Sequence, residues 1–575
     1  MSFRSTLDFI LYDWLRVENL TDRERHADHN RQTFDAVLDT CERLALDKYA
    51  PFNRLVDTEE PKAVMGDDGA LRVVLPQATH DAHQAYAQSG MLSAAQDVDM
   101  GGMQLPYVLE SAANSFFAMA SVSMGAGLLT VGNANLLMAH GNPRQIDVFA
   151  RKAFSGEWSG TMCLSEPQAG SSLADITTRA VPDGDGFESD PLGPRYRIRG
   201  HKMWISAGEH DLSENIVHLV LAKTVDDQGQ TLPGIKGISL FIVPKRLVDD
   251  QGQLTGERND VVLAGLNHKC GWRGTTNTLL NFGEGVFKPN GQAGAVAYRV
   301  GGEGEGLACM FHMMNEARIG IGMAATMLGM AGYEASLAYA RQRPQGRPLG
   351  PQGKDPSQPQ IPIIEHADVK RMLLAQKAYS EGALALLLYC ARLVDEQRTG
   401  SDDAAAQAKE WLELLTPIAK SWPSEWCLEA NSLAIQVLGG YGYTRDFPVE
   451  QYWRDNRLNM IHEGTHGIQA IDLLGRKLRL DGGKAFSRLL AHLRKTADKA
   501  MAHAEWQDCG QALSKALDEW RNAVDSAWQG GNAQASLANA VPHLQAAGHL
   551  VLAWIWLDLV LTQAEHKLKS PSQVA

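Results

Sequence analysis

His462, Glu463, Gly464, Thr465 and His466 form a segment whose residue types and spacing could do chemistry. Two imidazoles four residues apart on one helix face can hold Zn²⁺, and a carboxylate between them can then activate a metal-bound water. Three features oppose that reading here. Gly464 and Gly467 disfavour an interior helix, no Glu or His lies between Gly467 and Ala491 to serve as a nearby third ligand, and the His-x-x-Gly-x-x-His extension is absent. A zinc hydrolase is therefore a remote alternative, and no residue is assigned to a metal.

Three other segments could meet a ligand. Met162–Ile176 opens with a short apolar run and continues through Pro167, Gln168, Ala169, Gly170, Ser171 and Ser172, small residues that let backbone amides and hydroxyls face a polar molecule. The competing reading is a plain surface turn. In His201–Gly208, the Trp204 indole beside Ser206 could cover a flat heterocycle and hydrogen-bond its edge, although many tryptophans merely fill a core. Gly439, Gly440 and Gly442 follow the helical run Ser432–Leu438, where a dinucleotide fingerprint would need a strand, so they read as a helix end at which bare backbone approaches a phosphate or ribityl chain. The cluster Gly301–Gly306 carries Glu303 and Glu305, which would repel phosphate, and reads as a connecting turn.

These segments need elements to carry them, and 575 residues is enough chain for several cores. The fold class read from the pattern is α+β. An N-terminal α-helical domain spans 1–158, with Thr21 and Glu24 spaced as a capping box; a middle antiparallel β domain spans 159–290, with strands at 196–198, 216–223, 238–243 and 278–282. A C-terminal helical bundle covers 291–480, interrupted between Arg341 and Pro362 by a loop with six prolines and three glycines. An extra helical domain, 481–575, carries Trp506, Trp520, Trp528, Trp554 and Trp556 as apolar anchors. The balance of 54 Lys and Arg against 67 Asp and Glu, a net charge of −13, argues against a general nucleic-acid binder but leaves a few placed donors free to hold a small anion. Seven cysteines without a Cys-x-x-Cys pair suggest reduced thiols and a cytoplasmic location. Asp8, Asp13 and Arg16 interrupt the N-terminal apolar stretch, and the uncharged Ser111–Pro143 stretch reads as a buried helix pair, so neither export nor a membrane span is expected.

Taken together the segments resemble the acyl-CoA dehydrogenase family, over about Ser89 to Leu478 and in the family's order. Ser165, Glu166, Pro167, Gln168, Ala169, Gly170 and Ser171 match the family's flavin-cradling motif, and Lys202–Gly208 its Lys-x-Trp-Ile-Ser-x-Gly strand. The resemblance implies FAD as cofactor, held by Met162, Leu164, Ser165, Trp204, Ile205 and Ser206, with Ser171 toward the CoA side. Asn315 and Arg318 resemble the segment lining the thioester site. Arg343, Gln436, Gly439 and Gly440 resemble the residues that meet the FAD of a neighbouring subunit. Met460–Gln469 resembles the Glu-Gly-Thr motif, which makes Glu463 the catalytic base, Gly464 a substrate contact, and Thr465 and Gly467 neighbours of the cofactor. The chain departs from the family at Ser172, where Asp is common, at Pro344 after Arg343, and at His462, where Tyr is common.

The function implied is α,β-dehydrogenation of an acyl-CoA to the trans-2-enoyl-CoA in fatty-acid or related catabolism. Glu463 would take the α proton, flavin N5 the β hydride, and an electron-transfer flavoprotein the electrons. Burial is expected to raise the carboxyl pKa. An oxygen-using acyl-CoA oxidase of the same fold is the alternative. A homo-oligomer, dimer or tetramer, is implied by the shared FAD site. The length beyond Gly483 resembles the long bacterial branch, which includes enzymes for 3-(methylthio)propanoyl-CoA and for fatty acyl-CoAs.

Overall fold

The structure, a computed structural model, describes residues 3–569 except 126, 227, 312, 313 and 352. The chain forms two compact units, each assembled from separated stretches of sequence: residues 1–39, 106–119 and 318–575 in one, 40–105 and 120–317 in the other.

The second unit is built on a ten-stranded sheet. Its order is Lys62–Met65, Leu71–Val74, Val261–Leu266, Asn277–Phe282, Arg195–Ser206, Ala295–Val300, Ile238–Pro244, Asn215–Thr224 and Trp158–Cys163, with Arg179–Pro182 paired beside Arg195–Ser206 and Asn215–Thr224. All four strands expected from β-rich runs are present, each longer than its run suggested. Near-continuous burial along Asn215–Thr224 and Ile238–Pro244 explains why their sequences do not alternate apolar with polar residues, because both faces are covered. Two expectations need correction. The sheet is not wholly antiparallel, since Trp158–Cys163 and Arg179–Pro182 both run parallel to Asn215–Thr224. A hairpin, 62–65 with 71–74, also lies within the first, mainly helical quarter, where short strands with largely exposed side chains left no apolar alternation to read.

The first unit is a helical bundle. Ala367–Thr399 and Asp402–Leu438 pack along each other, and Met314–Gln342 lies close beside the second of them, its Leu328 carbonyl accepting from Asn431. Closeness is set by glycine: a Cβ on Gly322 would sit 2.2 Å from the Ala419 carbonyl oxygen, and one on Gly329 would sit 2.8 Å from the Cys427 Cβ. Asp395 is buried and accepts from the Tyr107 and Val108 amides at 2.7 and 2.9 Å, capping the helix Tyr107–Ala120. The capping box read at Thr21 is absent. Thr21 lies inside the 3₁₀ turn Val17–Asp22, and its hydroxyl donates back to the Glu18 carbonyl.

Beyond Gly483, Lys484–Met501, Gln507–Trp528, Ala533–Leu537 and Ala540–Lys569 are helices that join this bundle. Ala540–His566 is long and apolar enough to cross a membrane, but 61% of its most apolar window is buried in the protein, as in a core helix. Gly548 lets that helix approach the Trp422 ring, where a Cβ would meet Cδ1 at 2.4 Å. The Trp554 indole donates to Thr496 at 3.0 Å, and Thr496 donates to Asp558. Asp558 also accepts from Trp14 at 2.8 Å, so the two ends of the described chain share one carboxylate. Trp554→Ala is expected to remove about 3–5 kcal/mol by leaving a cavity. The check is the urea midpoint and melting temperature, and an unchanged melt would mean that the extension does not stabilise the bundle.

Candidate functional site

In the sheet unit, the strand Trp158–Cys163 delivers the chain into the Ser165–Ser172 turn, and Arg195–Ser206 runs beside it. The two are joined by a buried ion pair. Lys202 is fully buried and donates from Nζ to Glu166 Oε1 at 3.0 Å and to the Leu164 carbonyl at 3.0 Å. The other donors to Glu166 are the Thr177 and Thr178 amides and hydroxyls and the Gln168 amide, at 2.6 to 3.0 Å. Burial alone would push the Glu166 carboxyl up, but Lys202 and the threonine donors outweigh it and hold it at about 2. Burial pulls Lys202 below the ordinary ammonium range, and Glu166 opposes that.

This pair holds the segment on which Trp204 stands. Trp204 has φ +66° at an irregularity in the pairing with Asn277–Phe282, and its side chain is 60% exposed. A large indole exposed on a strained, left-handed backbone is an unpaid cost unless something flat lies on it. Ser206 accepts from Asn277 Nδ2 at 3.4 Å. Met162 and Leu164 are half-buried against the sheet core, Ser165 is half-buried, and Ser171 is exposed. Ile205 is placed otherwise than expected: its side chain is buried in the sheet core, leaving only its backbone for a ligand, and its carbonyl accepts from Thr278. Cradle and indole together fit a planar heterocycle such as a flavin. Asn315 begins the long helix Met314–Gln342 and is half-buried.

In the helical unit, Glu463 occupies a turn between Leu458–Met460 and the helix His466–Ile471, with φ +52°, followed by Gly464 at φ +89°. Only a turn satisfies those angles, so His462 and His466 do not share a helix face. The His462 ring meets Asn459 Oδ1 at 3.0 Å, whereas His466 faces Glu425 at 3.6 Å. Among the described residues no group of three or more His, Cys, Asp or Glu could hold a metal, and the zinc arrangement is geometrically absent. His462 ends a buried amide chain in which Asn459 donates to Asn456, and Asn456 to Asn431.

The turn is held by two side chains that sequence reading missed. Lys420, fully buried on Asp402–Leu438, donates to the Gly464 carbonyl at 2.8 Å, and Gln469 donates to the Glu463 carbonyl at 3.1 Å. Thr465 caps the following helix through Oγ1 to the Ile468 amide, and Gly467 lies in its first turn. Burial raises the Glu463 carboxyl, while Lys420 and Arg318 work against the rise. Burial lowers Lys420 to about 7 against the pull of Glu463. Arg318 is buried and paired to Asp472 at 3.1 Å, so its guanidinium is engaged by the protein itself. Among the described residues nothing accepts from the Glu463 amide N–H.

Elsewhere in the same unit, Arg343, Gly439, Gly440 and Tyr441 line one surface cavity of about 480 Å³, with Arg343 over the Tyr441 ring at 5.7 Å. Gln436 is exposed on the last turn of the adjoining helix. That helix presents its C-terminus, whose dipole repels anions, so a phosphate here would depend on Arg343.

The profile described as "Acyl-CoA dehydrogenase, C-terminal domain" matches residues 304–478, and "Acetyl-CoA dehydrogenase C-terminal like" matches 489–573. The chain is 36% identical to 3-methylmercaptopropionyl-CoA dehydrogenase of Ruegeria pomeroyi over 96% of this chain and 89% of that protein. The chain belongs to the acyl-CoA dehydrogenase family. It is 32% identical to a butyryl-CoA dehydrogenase of Syntrophomonas wolfei over 97% of this chain and 89% of the relative. The fold matches Caenorhabditis elegans ACDH-11 in complex with C11-CoA with a TM-score of 0.71 at 19% identity, covering 99% and 94% of the two chains. This acyl-CoA dehydrogenase acts on acyl-CoA substrates, and the family's cofactor is FAD.

Glu166→Gln is expected to strand the buried Lys202 charge and cost about 3–5 kcal/mol of stability. The Glu166 carboxyl lies at about 2 in the folded protein, below its ordinary value of roughly 4.3. Its contribution is therefore present above the ordinary value and lost as pH falls through the folded one. Melting temperatures of wild type and variant should differ most near neutrality and converge in acid; a constant gap would contradict the pairing.

Proposed function

We propose that this acyl-CoA dehydrogenase oxidises a saturated acyl-CoA to the trans-2-enoyl-CoA with Glu463 as the base at the α carbon. The observation that carries the reading is the Glu463 turn itself: a half-buried, left-handed residue whose carboxyl is raised by desolvation, beside its own unclaimed amide N–H. A base must be within reach of its proton and must tolerate the neutral form after transfer, and burial favours that neutral form. Loss of the α proton puts charge on the thioester oxygen, and the Glu463 amide is a donor able to meet it. FAD, when bound, supplies the acceptor for the β hydride at N5.

In the sheet unit the residues that would hold FAD are Met162, Leu164, Ser165, Trp204 and Ser206, with Ile205 through its backbone; in the helical unit the family resemblance gives Thr465 and Gly467 a cofactor role. The fit of Trp204 is the support for the sheet-unit residues. Arg343, Gln436, Gly439 and Gly440 would serve the FAD of a neighbouring subunit, making the enzyme a homo-oligomer. Ser171, Asn315, Arg318 and Gly464 would meet the acyl-CoA, Arg318 within the limit set by its pairing to Asp472. An electron-transfer flavoprotein is the proposed acceptor and the cytoplasm the proposed location.

Glu463→Gln keeps the shape of the side chain but cannot accept a proton. The variant should stay folded, yellow and able to bind acyl-CoA, and reduce its flavin slower by roughly two to four powers of ten. Anaerobic mixing with acyl-CoAs of increasing length, followed at the flavin absorbance band, tests this and ranks the substrates. Bleaching at the wild-type rate would remove Glu463 from the mechanism.

A further inference from the structure

We propose that Lys420 is the positioning residue of the Glu463 turn, clamping the Gly464 carbonyl and serving as the counter-charge of the Glu463 carboxylate. The inference rests on the reading of Glu463 as the base. Lys420 is fully buried in the middle of a helix, and its ammonium has one hydrogen-bond acceptor among the described residues, the Gly464 carbonyl at 2.8 Å. A neutral carbonyl does not compensate a buried positive charge. The carboxylate that offsets it is Glu463.

The other charges around the turn are already matched. Arg318, from the helix Met314–Gln342, pairs with Asp472 at 3.1 Å. Lys477 pairs with Glu413 at 2.5 Å and lies 3.9 Å from Asp472. His466 faces Glu425, and burial with the Lys420 charge pushes His462 down to about 3, so its ring is neutral through the physiological range. Among the described residues Lys420 is thus the cation beside the turn with no ion-paired carboxylate of its own, and it stands ahead of Arg318 in the pull on the Glu463 carboxyl. Lys420 holds the Gly464 peptide, which fixes the left-handed turn, and its charge keeps a useful fraction of Glu463 ionised against the burial that would protonate it.

The test uses the FAD-loaded enzyme as wild type, Glu463→Gln, Lys420→Met and the double variant. Glu463→Gln strands the Lys420 charge, so it should melt lower than wild type in the mildly acid range, and adding Lys420→Met should raise the melt again. Two losses that simply add would overturn the pairing. Lys420→Met and Lys420→Gln should both move the acid limb of flavin reduction to higher pH by about one unit, a roughly tenfold slower reduction at a fixed pH on that limb. Lys420→Arg, which keeps the charge, should leave the limb in place. If Lys420→Met alone fails to fold while the double variant folds, the pairing is supported. An acid limb of Lys420→Gln superimposed on wild type would overturn the proposal. The melting cycle does not depend on catalysis, so a Glu463→Gln enzyme that still reduced its flavin would refute the base assignment separately.

Discussion

The backbone at Glu463 is left-handed, and the rest of the helical unit is arranged to keep it so. A non-glycine residue in that region costs about 1–3 kcal/mol and persists only where its surroundings over-determine it. Here they do. Lys420 and Gln469 take the carbonyls of Gly464 and Glu463, Thr465 caps the next helix, and Gly464 itself lies at φ +89°, which favours glycine after the glutamate. The helix Asp402–Leu438 must then lie at a fixed height beside the turn, which the packing at Gly322 and Gly329 secures.

The sheet unit solves the matching problem with the same device. Trp204 is also left-handed, and a fully buried lysine, Lys202, donates to a loop carbonyl, Leu164, while balancing a carboxylate, Glu166. The two pairs differ in what surrounds the carboxylate. Glu166 has several protein donors and stays ionised, a structural anion. Among the described residues Glu463 has no such set, and burial raises it. One environment fixes charge and the other keeps it exchangeable, which is the difference between a strut and a base.

Much of this was legible in the sequence. Short β-rich runs marked the strands, the proline loop marked the helix break, and glycines around Glu463 speak against a metal helix as the turn angles do. What was not legible came from contacts far apart in the chain. Lys420 sits among Leu414, Leu415, Ile418, Ala419 and Trp422, and a lysine on so apolar a stretch was a signal that went unread. Nothing local to Thr21 showed that its hydroxyl would turn back to Glu18. Strand alternation turns the Ile205 side chain into the sheet core and leaves Trp204 on the open face, so any ligand contact of Ile205 is through its backbone.

The helices beyond Gly483 bear on the same turn. Gln545, on Ala540–Lys569, donates to Glu425, and Glu425 is the carboxylate that His466 faces. His549, on the same helix, receives the Trp422 indole N–H two residues along from Lys420. The last helix therefore braces the flank of Asp402–Leu438 from which Lys420 projects, and braces the first residue of the helix that Thr465 caps. A bundle that ended at Leu480 would have to hold that flank by other contacts. In this chain the extension supplies them, which ties the stability of its tryptophan-rich core to the geometry of the Glu463 turn.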